Sequence, residues 1–455
     1  MNQEIIDKYN VSTPRYTSYP PANYFGQMSN EDYLDAVDSS NKEGSQSLSF
    51  YFHMPFCKRL CHYCGCNSYI MPREGQTVSN YIDALHKEID LVTSHIDKNR
   101  PISQIHYGGG SPTAMPASVL RELNDHLFSL FPSIEKKEVA IECHPGYLTA
   151  EDWEELTRSH FNRFSIGVQD LDEKVLKTVG RTPSALPLKD IMDILRKAGA
   201  TVNMDFLFGL PYQTPESFGE NIRKAIELRP DRLVTFSYGH VPWVFKRQQT
   251  LEKHGLPAPD VKQQMYDKAA EMLHDAGYKT IGLDHFVLPT DELYIALENG
   301  QLYRNFQGYC TRRTTGQVYA FGVTGISQLD SVYAQNTKDI DEYIRDINSG
   351  NISIRKGYKL SHSERIAKEV IERLMCNYRI EWREIANTLG INVEDVLGAL
   401  HYDESKLREM HSDGIIELSA DGISMTELGH PFVRNVSASL DPLMQNTTKQ
   451  FSKPI

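Results

Sequence analysis

No stretch of this 455-residue sequence approaches the roughly 18 uninterrupted apolar residues of a membrane-spanning helix. The opening MNQEIIDKYNVSTPRYTSYP also lacks a basic flank leading into an apolar run. Neither secretion nor membrane spanning is therefore expected, and a cytoplasmic location is. Positive charge is in short supply, with 48 Lys and Arg against 60 Asp and Glu and a net charge of −12. A general nucleic-acid binder needs a basic surface to displace counterions, so that class is set aside. Long repeats and low-complexity tracts are missing too. Cysteine is sparse, seven in all, yet Cys57, Cys61, Cys64 and Cys66 fall inside one ten-residue window. In a chain with no sign of export, such clustering reads as metal ligation in a reducing compartment and not as a disulfide framework.

What is present describes a packed α/β protein. Apolar residues make up 40% of the chain, and its length suggests two or three domains. Residues 47–285 alternate runs of β-forming residues with helical patterns. The strand candidates are SLSFYFHM, ISQIHYGG, EVAIECHP, RFSIGVQD, TVNMDFLFG and DRLVTFSYGHV, with SNYIDALHKEIDLVTSHI, ASVLRELNDHLFSLF, LKDIMDILRKAG and ESFGENIRKAIEL among the helices between. Alternation of this kind implies parallel strands with crossover helices, and six strands imply a curved, incomplete (β/α)6 barrel. The domain reading is an N-terminal arm over 1–45, laid on the surface; a catalytic domain over 46–355, with the barrel in 46–285 and a cover in 286–355; and a small helical, winged-helix-like domain over 356–455. The acidic character of that last segment favours a packing or lid role over DNA binding. Active-site residues of a barrel sit where strands end, and Gly108–Gly110, Glu142, Gln169, Asp205 and His240 all lie there.

The cysteines carry the sharpest chemistry. Cys57, Cys61 and Cys64 are spaced C-x3-C-x2-C directly after the first strand. A four-iron cluster takes one ligand per iron, so three clustered thiolates leave the fourth iron open to a small molecule. The competing reading is a zinc knuckle, with Cys66 or His62 as fourth ligand, although zinc commonly takes paired C-x2-C spacings.

The spacing resembles the signature of the radical S-adenosylmethionine (SAM) superfamily. The wider motifs YFHMPFCKRLCHYCGCN, HYGGGSPT, FSIGVQD, NMDFLFGLPYQTPESF, GLDHF, RNFQGY and YAQN, with PRYTSYP at the start and QFSKPI at the close, resemble the oxygen-independent coproporphyrinogen III oxidases over nearly the whole chain. That resemblance implies a radical SAM barrel. It also implies a 4Fe–4S cluster on Cys57, Cys61 and Cys64, reductive cleavage of SAM to a 5′-deoxyadenosyl radical, and oxidative decarboxylation of two propionates to vinyl groups, giving protoporphyrinogen IX in haem biosynthesis. Cys66 then matches the extra cysteine that does not bind the cluster.

By the same match, Tyr51, Tyr63, Gly109, Gly110, Ser111, Glu142, Gln169, Arg181, Asp205, Gly239 and Ile326 contact SAM, of which two molecules are implied. Tyr51, Phe306 and Gln307 match positions needed for activity, and Arg304, Arg312 and Arg313 lie near enough in sequence to meet substrate carboxylates. The implied partners are a tetrapyrrole and an electron donor such as flavodoxin or ferredoxin, with no nucleic acid and no membrane, and the protein is taken to be a monomer. The chain departs from the pattern around Pro145, where Cys143, His144 and Gly146 stand, in the basic segment 310–321, and at Tyr107 and Gly239. Two rival readings are a related radical enzyme acting on haem or another tetrapyrrole and a non-catalytic haem chaperone. Cys66 and the PRYTSYP arm favour the enzyme.

Overall fold

The computed structural model describes residues 3–73, 75–445, 447–449 and 451, so that of the closing QFSKPI only Phe451 falls among the described residues. All six expected strands form: Leu48–Met54 (β1), Ile102–Gly109 (β2), Ser133–Cys143 (β3), Arg163–Gln169 (β4), Thr201–Phe208 (β5) and Arg232–Ser237 (β6). They pair in chain order and all in parallel. Helices Gln76–Thr93, Ala117–Leu130, Leu188–Lys197 and Pro215–Leu228 provide crossovers. The last begins where Thr214 accepts a hydrogen bond from the Ser217 N–H and Pro215 takes the first turn, a start that costs no backbone donor.

The strands read as apolar and polar residues in turn, which puts one set on each face of the sheet. Ile105, Tyr107, Val139, Ile141, Phe164, Ile166, Val202, Met204 and Leu233 are buried in the main core with the crossover helices. Their neighbours His106, Glu142, Ser165, Asn203 and Asp205 face the concave side instead, where they line a cavity. This layering decides where chemistry can happen.

The sheet extends beyond the six strands. Segment 286–355, expected as a cover over the mouth, supplies a seventh parallel strand, Gln317–Phe321 (β7), which pairs with β1 in register from Gln317↔Leu48 to Phe321↔Phe52. Val318, Tyr319, Ala320 and Phe321 are buried, because a strand covered on both faces must be apolar throughout. Antiparallel strands Ile326–Gln328, Val332–Asn336 and Ile354–Lys359 continue that edge, and His285–Val287 runs antiparallel to β6 at the other. The barrel is thus an open, curved sheet. Only the hairpin of Leu302–Asn305 and Gly308–Thr311 reaches the mouth as a cover would.

The C-terminal segment builds a second core. Helix His362–Asn377 starts on a reciprocal cap between Ser361 and Glu364, followed by Trp382–Leu389, Val393–Gly398 and Glu404–Ser412. Strands Ile416–Leu418 and Gly422–Met425 form the wing. The stretch 393–414 divides into two helices, the second opening on Asp403, whose side chain accepts from the Lys406 N–H.

The N-terminal arm is not laid on the surface. Tyr16 and Tyr19, at 3% and 0% exposure, belong to the second core. Their hydroxyls donate to the two oxygens of Asp441, each at 2.9 Å. Arg434 Nε donates to the Pro14 carbonyl at 2.9 Å and Asn435 Nδ2 to that of Tyr9 at 2.9 Å, so the first and last segments pack as one body. Tyrosines and prolines read as an exposed arm only while their partners are out of sight. Asp441→Ala leaves two buried phenols without acceptors and is expected to cost about 3 kcal/mol. A urea titration followed by circular dichroism checks this, and an unchanged midpoint would refute the tie.

Candidate functional site

The polar faces of the barrel strands surround a cavity of about 410 Å³ at the C-terminal ends of β1–β6, within the size range of small-molecule sites. Adjacent strands bring their inward residues level: Glu142 sits beside Ser165, Ser165 beside Asn203, and Gly167 beside Asp205. Ser165 Oγ donates to one Asp205 oxygen at 2.8 Å, and Asn203 Nδ2 donates to the other at 2.7 Å. Burial raises the Asp205 carboxyl above its ordinary range, against the pull of those two donors. Asn203 Oδ1 is left buried without a partner, an acceptor waiting for a ligand donor. His106 Nε2 lies 3.2 Å from Glu142 Oε1.

On the cavity floor Arg163 donates to Glu138 at 2.8 Å. Burial pushes the Glu138 carboxyl up, but the guanidinium groups of Arg163 and Arg232 outweigh it and bring it down to about 2.

The cysteine loop crosses the mouth, fastened mainly through its backbone carbonyls and His62. The His62 N–H donates to the Val179 carbonyl at 2.8 Å, and its ring Nδ1 lies 3.1 Å from the Thr178 carbonyl. Arg247 Nε donates to the Cys64 carbonyl at 3.0 Å, and Gln248 Nε2 to that of Tyr63 at 2.9 Å. Arg181 reaches Tyr63 Oη at 3.2 Å, lies 3.8 Å from Cys61 Sγ and hydrogen-bonds the Gly167 carbonyl. Cys57, Cys61, Cys64 and Cys66 all line the cavity. Hydrogen bonding from the Cys66 thiol is the main influence drawing Cys64 down to about 6, while burial pushes Cys57 up to about 12. His62 does not line the cavity with the thiols, so it is not placed beside them as the fourth ligand of a zinc knuckle. Cys57 and Cys61, buried, and Cys64, half-buried, line the cavity beside the half-buried Arg181 guanidinium, a set whose number and spacing in the chain suit a four-iron cluster with one open iron.

The glycine turn after β2 serves close approach. Gly109 takes φ +114°, and a Cβ on Gly110 would meet the Pro55 carbonyl group at 2.7 Å. The Gly110 N–H donates to Met54 O at 2.7 Å, pinning the turn against the start of the cysteine loop. Gln169 adopts φ +69°, an uncommon conformation for a side-chain-bearing residue, and its side chain lines the cavity.

Of the residues singled out from the sequence, Cys57, Cys61, Cys64, Tyr63, Gly109, Gly110, Ser111, Glu142, Gln169, Arg181, Asp205 and Gln307 converge on this cavity. Tyr51 lies just beneath, with its hydroxyl 3.2 Å from His53 Nδ1, while His53 Nε2 lies 3.0 Å from the Asn67 carbonyl. One neutral tautomer satisfies both contacts, in keeping with the lowering of His53 by burial. Gly239 stands one contact away, its carbonyl 3.3 Å from Gln248 Nε2.

The structure does not bring Phe306 or Ile326 to the cavity. Phe306 packs edge-on against Phe25 and Tyr333, and both residues lean on the second core. Arg312 and Arg313 are likewise turned away, paired with Glu369 at 2.9 Å and Glu292 at 2.6 Å, and His240 is paired with Glu252 at 3.0 Å. Arg304 covers the ring of Tyr309, which does line the cavity. The inward residues missed in the sequence are His106, Arg163, Ser165, Asn203 and His285. All but His285 were visible in the alternation of the strands that carry them.

Comparison with known proteins agrees with this geometry. The radical SAM superfamily matches residues 51–225, and the HemN C-terminal domain matches residues 360–432. The chain is 35% identical to the oxygen-independent coproporphyrinogen III oxidase of Synechocystis, covering 99% of this chain and 97% of that one. It is 36% identical to the enzyme of that name from Pseudomonas aeruginosa, over 99% and 98% of the two chains. The solved coproporphyrinogen III oxidase from Escherichia coli, described as a radical SAM enzyme, superposes with a TM-score of 0.87 at 32% identity, over 97% of this chain and 98% of that one.

His144 yields a pH test. Its Nδ1 accepts from the Gly146 N–H at 3.1 Å and its ring stacks on Tyr147, while burial and then the charge of Arg181 lower it to about 3. As pH falls below about 6.5, the unfolded chain takes up a proton there that the folded protein refuses until about pH 3. Stability is therefore lost across that window on acidification. His144→Asn, which keeps an acceptor for Gly146, is expected to reduce the loss between pH 6.5 and pH 4 by about 2 kcal/mol, read from urea titrations at the two pH values. An identical loss in both proteins would contradict the assignment.

Proposed function

From the premise that this chain belongs to the oxygen-independent coproporphyrinogen III oxidases of the radical SAM superfamily, we propose that the cavity converts two propionates of coproporphyrinogen III to vinyl groups, giving protoporphyrinogen IX without oxygen. The observation that carries this reading is the placement of Cys57, Cys61 and Cys64 over a polar-lined barrel mouth, in a chain similar to these enzymes from end to end. When bound, the cluster supplies one electron to SAM and thereby the hydrogen-atom abstraction that starts each decarboxylation.

The chain's own residues bind, orient and shield. Cys57, Cys61 and Cys64 would hold three irons, with Cys66 alongside but not ligating. Gly109, Gly110 and Ser111 let backbone approach the amino end of SAM, and Arg181 offers its carboxylate a charged partner. Glu142 and Asp205 suit a ribose diol and a sulfonium, and the orphaned Asn203 Oδ1 accepts a further donor. Tyr51, held by His53, and Tyr63 close the near wall, with Gln169 at its rim and Gly239 behind Gln248. Gln307 approaches from the hairpin turn to position substrate, and Phe306 acts through that turn, since it packs behind it. Arg163 on the floor gives a propionate a guanidinium whose charge is already balanced by Glu138. Ile326 supports the wall from the second core. A second SAM molecule is part of this reading, as is a small protein electron donor; seven unpaired thiols suit a reducing cytoplasm.

Anaerobic reconstitution with iron and sulfide, then reductant, SAM and coproporphyrinogen III, is expected to yield 5′-deoxyadenosine and two successive losses of formic-acid mass from the porphyrin. Ser replacement of Cys57, Cys61 or Cys64 should abolish both products and iron retention, while Cys66→Ser keeps the iron. Deoxyadenosine without decarboxylation would move the substrate elsewhere, and iron retained by all three single variants would overturn the ligand set. Equilibrium dialysis with labelled SAM distinguishes two bound molecules from one.

A further inference from the structure

Beside the cysteine loop lies a surface that the cavity does not use. Trp243 is 77% exposed, Val244 60% and Tyr212 43%, large side chains that a folded surface seldom leaves so open together. They stand on one foundation, since Tyr212 and the segment 241–252 flank a small core of Val175, Val179, Leu207, Leu210, Tyr238 and Leu251, against which Tyr63 of the cysteine loop also packs. Neither Trp243 nor Val244 lines the cavity, so neither is kept open for substrate.

Cations edge this apolar centre. Lys174, Lys177 and Lys246 are exposed, and Lys174 sits 3.8 Å over the Tyr212 ring. An apolar centre with a charged rim is the anatomy of a transient protein interface. The sign matters, because a chain of net charge −12 repels acidic proteins at long range, and Lys174, Lys177, Lys246 and Arg247 outnumber the neighbouring Asp172 and Glu173 and offset that repulsion locally.

The patch is also wired to the thiols. Arg247, four residues from Trp243, donates to the carbonyl of Cys64 at 3.0 Å, and the Phe245 ring packs on Gly65. The helix that carries Lys174 and Lys177, Glu173–Thr178, ends on residues whose carbonyls hold His62. We propose that this face, centred on Trp243, Val244 and Tyr212, is the docking site for a small acidic one-electron carrier protein that reduces the cluster across the outer side of the cysteine loop. The inference rests on the cofactor reading above. In the step itself the carrier loses one electron and the cluster gains it, with no bond made or broken and no proton moved.

The test uses reconstituted holoenzyme and a reduced acidic flavodoxin as probe, with cluster bleaching followed anaerobically by stopped flow and the complex measured by titration. Lys174→Glu/Lys177→Glu/Lys246→Glu and, separately, Trp243→Ala are expected to weaken flavodoxin binding and slow cluster reduction by it about tenfold or more, and to flatten its salt dependence. Reduction by dithionite, which needs no docking, should be unchanged, and the triple Lys→Arg protein should behave as wild type. Unaltered flavodoxin kinetics, or equal slowing with dithionite, would overturn the proposal. A wild-type protein that takes up no cluster would overturn the cofactor reading first and this inference with it.

Discussion

Everything in the barrel depends on a single alternation: each strand sends one residue out to the helices and the next in to the hollow. The outward set is apolar and supplies the core, while the inward set is polar and must find partners within the hollow or from a ligand. Ser165 and the Asn203 amide nitrogen satisfy the two Asp205 oxygens, leaving only Asn203 Oδ1 of that trio open to a ligand, while Glu138 is neutralised by Arg163 and His106 meets Glu142. Unpaired, such groups would each cost about 1–3 kcal/mol, a sizeable share of a typical net stability of about 5–15 kcal/mol. The same pairing fixes their orientation before any ligand arrives, so the wall is held ready and not assembled on demand.

A second constraint acts at the mouth. A loop that presents three thiols is best fastened by groups that leave most of the sulfur surface uncovered. Val179, Arg247 and Gln248 meet its backbone, and Thr178 the His62 ring, from two neighbouring segments. Gly109 at the end of β2 and Gly110 after it complete the arrangement, since a Cβ would collide with the His53 ring at the first and with the Pro55 carbonyl at the second.

Much of this was legible in the sequence, because the signals were local. Strand periodicity located β1–β6, the cysteine spacing located the loop, and odd residues at strand ends located Glu142, Gln169 and Asp205. What escaped depended on distant partners. Strand β7 is apolar at nearly every position and so shows no alternation, and its neighbour β1 lies far back in the chain. Arg312 and Arg313 looked free for substrate until Glu369 and Glu292 came beside them. Tyr16 looked like part of a surface arm because Asp441 is 425 residues away. Phe306 and Gln307 are adjacent, yet the turn between Leu302–Asn305 and Gly308–Thr311 sends the first to the second core and the second to the cavity, which no one-dimensional pattern reports.

The tie between the first and last segments has a consequence in time. During synthesis Tyr16 emerges 425 residues, and Tyr19 422 residues, ahead of their shared partner Asp441. All seven parallel strands are made in the interval, and domains generally fold as they are completed. The segment carrying Tyr16 and Tyr19 must therefore wait, with aromatic side chains uncovered, until residues 434–441 supply its partners, so that closure of the second core follows synthesis of the whole barrel.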